Sequence, residues 1–221
     1  IFETNDKFFN NLLSRLRIYK LRSDIEIKEI NNLNSYSLFN IDYKGDYNVY
    51  LNDPRNINLG KKLITNKKIS IEKERLKEIN EIEYHEILIN HTTPYSPFDI
   101  LENKSLLLEN NFDNLNAIDW DKGCYVGQEI TARMKYRGLL KKKLYALKIK
   151  SGDVLEGDEL IVDNKKIGTI VSKANSNIFA ALNINFVNEI KNKNQNLVIN
   201  DSLSFDFLNW KFFSIKTYWN Y

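Results

Sequence analysis

The sequence predicts an α+β fold in two parts: a mixed helix–strand region with antiparallel pairing, then a small all-β domain. Two observations carry this. The first 90 residues mix stretches of helical spacing with stretches of two-residue alternation. From Lys143 onward only short strand-like runs recur, separated by Gly, Asp and Asn turns. Several short strands at such close spacing build a barrel or a sandwich.

In chain order, Phe8, Phe9, Leu12, Leu13 and Leu16 recur at helical spacing, with Thr4, Asn5 or Asp6 available as the cap. Ile25 and Ile27 alternate with Glu26 and Lys28 and read as a strand. Ser37–Asp42 and Tyr47–Leu51 read as two more, joined by a turn at Tyr43–Asp46. Ser70 is placed to cap a second helix that carries Ile71, Leu76, Ile79, Ile82 and Leu88 towards one side. Pro94 and Pro97 punctuate a loop. Five strands are expected after it, at Leu144–Ile149, Glu159–Val162, Ile167–Ser172, Ile178–Ile184 and Leu203–Leu208, with Asn188–Asn196 as a polar loop. The change of pattern puts a boundary near 139–143, giving regions 1–140 and 141–221.

Composition narrows the class. At 221 residues, 43% hydrophobic and 12% aromatic, the chain is long and apolar enough for a real core and is not disordered. The formal net charge of +3 is too mild to point by itself to nucleic acid. A single cysteine excludes an internal disulfide and a Cys-based zinc site, and suits a reducing compartment. No metal site is expected. No apolar run approaches the roughly 18–20 residues of a membrane span, and no signal peptide opens the chain. It begins at Ile1 and not at Met, so an upstream part is expected.

That cysteine stands in Lys122-Gly-Cys-Tyr-Val-Gly-Gln-Glu129. Val126, Ile130 and Met134 lie four apart and are expected to face the core. Glu129, Arg133 and Arg137 share another face, and Gly138 sits where a helix-ending glycine belongs. A helix over 126–137 follows, with Cys124 just ahead of it. A helix N-terminus, carrying roughly +0.5 charge, favours a thiolate, and Lys122 adds to this. The plainer readings are a small buried thiol, glycines serving backbone geometry alone, and a Glu129–Arg133 pair on a solvated helix. No catalytic triad is legible, and His85 and His91 are expected on the surface or in loops.

The run 122–129, followed by Ala132-Arg133 and Arg137-Gly138, resembles the signature of the YgfZ-type folate-binding proteins, within the wider superfamily of the glycine-cleavage T-protein. Leu106-Leu-Leu-Glu109 with Phe112-Asp113 resembles that family's approach to the motif. Leu16 to Ile27, with Tyr19, Leu21 and Arg22, resembles a helix exit in it, and Ile167-Gly-Thr-Ile-Val-Ser172 a strand pair of its C-terminal barrel. The likeness is dense at 106–138.

The resemblance implies a T-protein-like fold, with antiparallel α+β domains and a C-terminal β-barrel around a folate cavity. The implied function is a tetrahydrofolate-binding factor for assembly or repair of iron–sulfur enzymes, tRNA-modifying ones included. It would act through Cys124 and Lys122, as a monomer, in the cytoplasm or, in a eukaryote, the mitochondrial matrix. By resemblance, Tyr125, Gln128, Glu129, Arg133 and Arg137 are carried over as folate-binding residues, with Gly123 and Gly127 as motif glycines and Glu109 as a pterin contact. The family's several dozen further N-terminal residues belong to the folate-binding half. Physically, a pterin needs an apolar slot with a few convergent polar groups. The anionic glutamate tail would meet the basic cluster of Arg133, Lys135, Arg137, Lys141, Lys142 and Lys143.

Two other functions compete. One is a folate-dependent aminomethyltransferase or demethylase of the T-protein type, where a Lys-Gly-Asp-Phe-like run without cysteine is usual. The other is an RNA-binding module on the basic stretch 133–143, which has only Tyr136 among its basic residues for stacking.

Overall fold

The computed structural model describes residues 2–70, 76–193 and 195–208. Helix α1, Asp6–Lys20, is capped by Asn5, whose side chain accepts from the Lys7 amide at 3.0 Å. Its apolar stripe of Phe8, Phe9, Leu12, Leu13 and Leu16 is half-buried. The strand expected at Ile25–Lys28 is not formed. Alternation supplies a face, but a strand also needs a ladder partner, and none of the described strands pairs with this stretch.

Strands β1 (Asn34–Leu38), β2 (Val49–Asn52) and β3 (Lys61–Thr65) make an antiparallel sheet in the order β1-β3-β2. The central strand, β3, escapes the sequence reading because two lysines open it and only Leu63, Ile64 and Thr65 are buried. The strand expected at Ser37–Asp42 ends early, since Asn40 turns the chain with φ 56°. Gly60, with φ 73°, leads into β3. A Cβ there would lie 2.1 Å from the Leu38 carbonyl oxygen, so only glycine fits.

The second helix, α2, spans Glu81–Asn90 and starts ten residues after the expected cap at Ser70; Ile71 lies outside the described residues. The true start is a capping box. The Asn80 side chain accepts from the Glu83 amide at 2.9 Å, and the Asn80 amide donates to Glu83 Oε2 at 2.9 Å.

The second sheet contains β4 (Lys142–Ser151), β5 (Glu159–Val162), β6 (Lys165–Ala174), β7 (Asn177–Asn183), β8 (Leu197–Asn200) and β9 (Leu203–Phe207). All its pairs are antiparallel, in the order β5-β6-β7-β4-β9-β8. The end strands β5 and β8 touch, so the sheet curls into a barrel-like form. Tyr145, Leu147, Leu160, Ile170, Ile178, Leu182 and Phe205 fill its interior. The loop expected at Asn188–Asn196 is largely helix α4, Ile184–Asn192, capped by Asn183. Its Asn/Lys composition hid an apolar stripe: Val187 and Ile190 close the barrel core. Strand β8 also went unpredicted, being four residues long.

Alternate residues of β4 serve two cores. Tyr145 and Leu147 point into the barrel, while Leu144 and Ala146 pack outside it with Ile89 of α2, Ala174 and Phe179.

That outer interface holds His85, which is buried at 5% exposure and not on the surface as expected. It lies three and four residues before Leu88 and Ile89, on the buried stripe of α2. Its Nε2 is 2.9 Å from Asp99 Oδ1, and Phe98 stacks on the ring at 5.2 Å between centroids. Asp99 also accepts from the Tyr95 amide at 2.6 Å and from the Ser172 hydroxyl of β6. The carboxylate thus ties α2, the proline loop and the barrel together. His91 is half-buried, and burial lowers its pKa.

Candidate functional site

Helix α3 runs Gln128–Tyr136, shorter than the expected 126–137. Gly127 is its N-cap at φ 89°, a left-handed conformation that explains the glycine. Gly123 has neither a positive φ nor any atom within 4 Å of an added Cβ. Gly138, at φ 63°, turns the chain just past the C-cap Arg137.

Cys124 is exposed on the turn before the helix. The Lys122 ammonium lies 4.5 Å from the centre of the half-buried Tyr125 ring. Residues 122–127 hydrogen-bond, among the described residues, only to α3. The Gln128 amide donates to the Tyr125 carbonyl at 3.2 Å, and the Thr131 amide and hydroxyl donate to the Gly127 carbonyl.

The expected core face of α3 is corrected. Met134 is buried, but Val126 is 99% exposed and Ile130 57% exposed. Val126 precedes the helix and falls out of its phase; the buried stripe is Thr131 with Met134. Ile130, Thr131, Met134 and Gly127 meet Leu106, Leu107 and Leu108 around an apolar notch of about 170 Å³.

The carried-over polar residues lie around this notch but do not line it. Glu129 and Arg133 form an exposed ion pair at 2.5 Å. Glu109 is half-buried and 3.3 Å from Lys142, and its carbonyl accepts from the Leu144 amide at 2.7 Å. Lys143 pairs with Asp113 at 3.1 Å. Gln128 is half-buried, and Arg137 and Lys141 are exposed. Residues 119–143 carry seven lysines and arginines against three acidic groups, a net of +4 that exceeds the +3 of the whole chain. The positive field is therefore concentrated around the cysteine turn.

A cavity enclosing a drug-sized ligand measures about 300–1,000 Å³. The notch is smaller, and none of Glu109, Tyr125, Arg133 or Arg137 lines it. The described residues at this turn therefore do not enclose a folate. A larger cavity of about 640 Å³ opens between the β5–β6 turn, α4 and β8, and contains none of the motif residues.

Sequence reasoning missed two features here. One is the exposure of Val126 and Ile130. The other is Trp120, whose ring centre lies 3.5 Å from the Lys135 ammonium. A tryptophan four residues before a cysteine carries no periodic signal. No group of three His, Cys, Asp or Glu side chains able to hold a metal ion is found among the described residues. No described helix is long and apolar enough to cross a membrane.

No family model matches the chain. It is 30% identical over 187 residues to "Iron-sulfur cluster assembly factor IBA57 homolog, mitochondrial" of Dictyostelium discoideum, covering 75% of this chain and 46% of that protein. It is 30% identical over 101 residues to the mitochondrial iron–sulfur cluster assembly factor IBA57 of Mus musculus, covering 45% of this chain and 28% of the relative. The corresponding Saccharomyces cerevisiae protein is 38% identical over 94 residues, covering 42% of this chain and 17% of the relative. The chain thus spans less than half the length of these curated relatives. Its homologues are mitochondrial iron–sulfur cluster assembly factors of the IBA57 type.

Proposed function

We propose that the protein is a YgfZ-type, T-protein-like factor that assists assembly or repair of iron–sulfur enzymes, tRNA-modifying ones among them, and acts in the mitochondrial matrix of a eukaryote. The observation that carries this is the exposed Cys124 on a basic turn of a chain whose homologues are assembly factors. Thiolate is the usual protein ligand of cluster iron, and a [2Fe–2S] or [4Fe–4S] cluster takes four such ligands. One exposed thiol supplies a single ligand and leaves the others to a partner, which suits a helper better than a cluster scaffold. Val126 and Ile130 offer that partner apolar contact beside the thiol, and the positive field favours an acidic one. Depletion of the protein in its own cells is expected to lower the activity of cluster-dependent enzymes and spare enzymes without clusters. Unchanged cluster enzymes would overturn the reading.

Tetrahydrofolate is the second part of the proposal, for the protein at its relatives' length. The 221-residue chain alone is expected to give neither binding heat nor a thermal shift with millimolar tetrahydrofolate. Saturable heat from this chain would show that it holds the whole site. The runner-up reading, aminomethyl transfer to tetrahydrofolate, gains no support from the homologues' names.

A further inference from the structure

The cysteine turn is fastened at one end by its own helix. Its carbonyls at Tyr125 and Gly127 accept from Gln128 and Thr131, and residues 122–127 make no hydrogen bond to any other described element. A turn held this way would hinge about the start of α3 and carry the thiol over a range of positions. The other end is where Trp120 sits. Its half-buried ring lies under the Lys135 ammonium at 3.5 Å and meets Tyr136 edge-on at 6.3 Å between centroids. Lys135 lies 5.4 Å from the Tyr136 ring as well. The last turn of α3 thus reaches back to the residue that precedes the cysteine turn.

We propose that Lys135 and Trp120, with Tyr136, form a clasp that closes the base of the 121–127 turn and fixes where Cys124 is presented; Lys135 and Trp120 are positioning residues for that thiol.

The contact has the geometry of a strong cation–π pair, since an ammonium over an indole face is the most favourable combination. Lys135 is half-buried, and desolvation lowers its pKa despite the opposing fields of Asp113 and Asp121. A partly desolvated cation gains more from a ring quadrupole than a hydrated one does. The clasp also gives Lys135 a use distinct from its neighbours. Arg133 is engaged with Glu129, Lys142 with Glu109 and Lys143 with Asp113, while Lys135 alone in the basic stretch has its ammonium over a ring. Fixed placement matters for a single-ligand thiol, because transfer chemistry loses rate when the reacting atom is misplaced by about 1 Å.

The inference rests on the proposed role of Cys124, but its test does not. Cys124 is the only cysteine in the chain, so a nitroxide label goes there without further changes. In the labelled, otherwise unaltered chain the spectrum should be dominated by an immobile component. Lys135→Met keeps the aliphatic stem and removes the charge. It should raise the ratio of mobile to immobile component by about tenfold, the scale of a partly desolvated cation–π contact. Trp120→Leu should do the same, and Lys135→Arg, which retains a cation over the ring, should stay near wild type. In cells, Lys135→Met should lower cluster-enzyme activity and Lys135→Arg should restore it. An unchanged spectrum in Lys135→Met, or a Lys135→Arg spectrum as mobile as that of Lys135→Met, overturns the clasp. If the spectra behave as expected but a chain lacking the thiol still supports cluster enzymes, the clasp stands and the role of Cys124 falls.

Discussion

Replacing Asp99 by alanine is expected to lower the unfolding free energy by about 3–5 kcal/mol, the range for removing one partner of a buried charged pair. Asp99 is 1% exposed and accepts from three donors: His85, the Tyr95 amide and the Ser172 hydroxyl. Without the carboxylate, three buried donors lose their acceptor in a site that water does not reach. Total stability for a domain of this kind is about 5–15 kcal/mol, so the loss is a large share of it. Asp99→Asn, which keeps one acceptor oxygen but places an amide donor against the others, should fall between. Urea titration measures this, with the midpoint falling and the slope held. A loss below about 1 kcal/mol for Asp99→Ala would mean that water enters the site. The double variant His85→Leu with Asp99→Leu should recover part of the stability, because replacing both members of a buried pair by apolar groups is often near neutral.

Replacing Cys124 by alanine is expected to do the reverse: stability unchanged, function lost. Substitutions at exposed positions away from caps and networks usually stay within about 0.5 kcal/mol, and Cys124 is exposed on a turn where no described hydrogen bond uses its side chain. Melting curves of variant and wild type should superimpose. In a strain depleted of the endogenous protein, the variant should leave cluster-dependent enzymes at the depleted level. Cys124→Ser should fail as well, since a hydroxyl is a poor ligand for cluster iron compared with a thiolate. Full restoration of those enzymes by Cys124→Ala would reduce the thiol to a structural side chain and remove the central support of the proposed function.

The contrast between these two sites shows what the sequence can reveal. The cysteine turn was legible because its features are local: glycines at fixed offsets, a lone thiol and a helix-ending glycine at 138. The barrel strands were legible because Leu144–Ile149, Glu159–Val162 and Ile178–Ile184 are short apolar runs between turn residues, close to the observed β4, β5 and β7. The Asp99 site was not legible. Its members come from α2, the proline loop and β6, and His85 and Ser172 are 87 residues apart in sequence. No periodicity links them. Helix α4 was hidden by composition, since asparagine and lysine read as loop while Val187 and Ile190 alone supply the buried contact. The clasp at Trp120 was hidden for a third reason: a cation–π contact between residues 120 and 135 needs the helix to be placed before it exists.

Strand β4 shows how closely the two halves of the chain depend on one another. Its odd-numbered side chains fill the barrel, its even-numbered ones meet α2, and the Leu144 amide and carbonyl are held by Glu109 and Asn111 from the segment beside the cysteine turn. It acts as a party wall between three structures. A one-residue insertion anywhere in 142–149 would exchange its two faces at once. It would put Tyr145 against α2, Leu144 into the barrel, and the Glu109 anchor out of step with its partner. The hairpin turn at Asp163–Asn164 bears no such double duty, so length changes should be tolerated there and purged from β4. The spacing between Glu109 and Leu144, more than the identity of the residues between them, is what such a wall would hold constant as the family diverges.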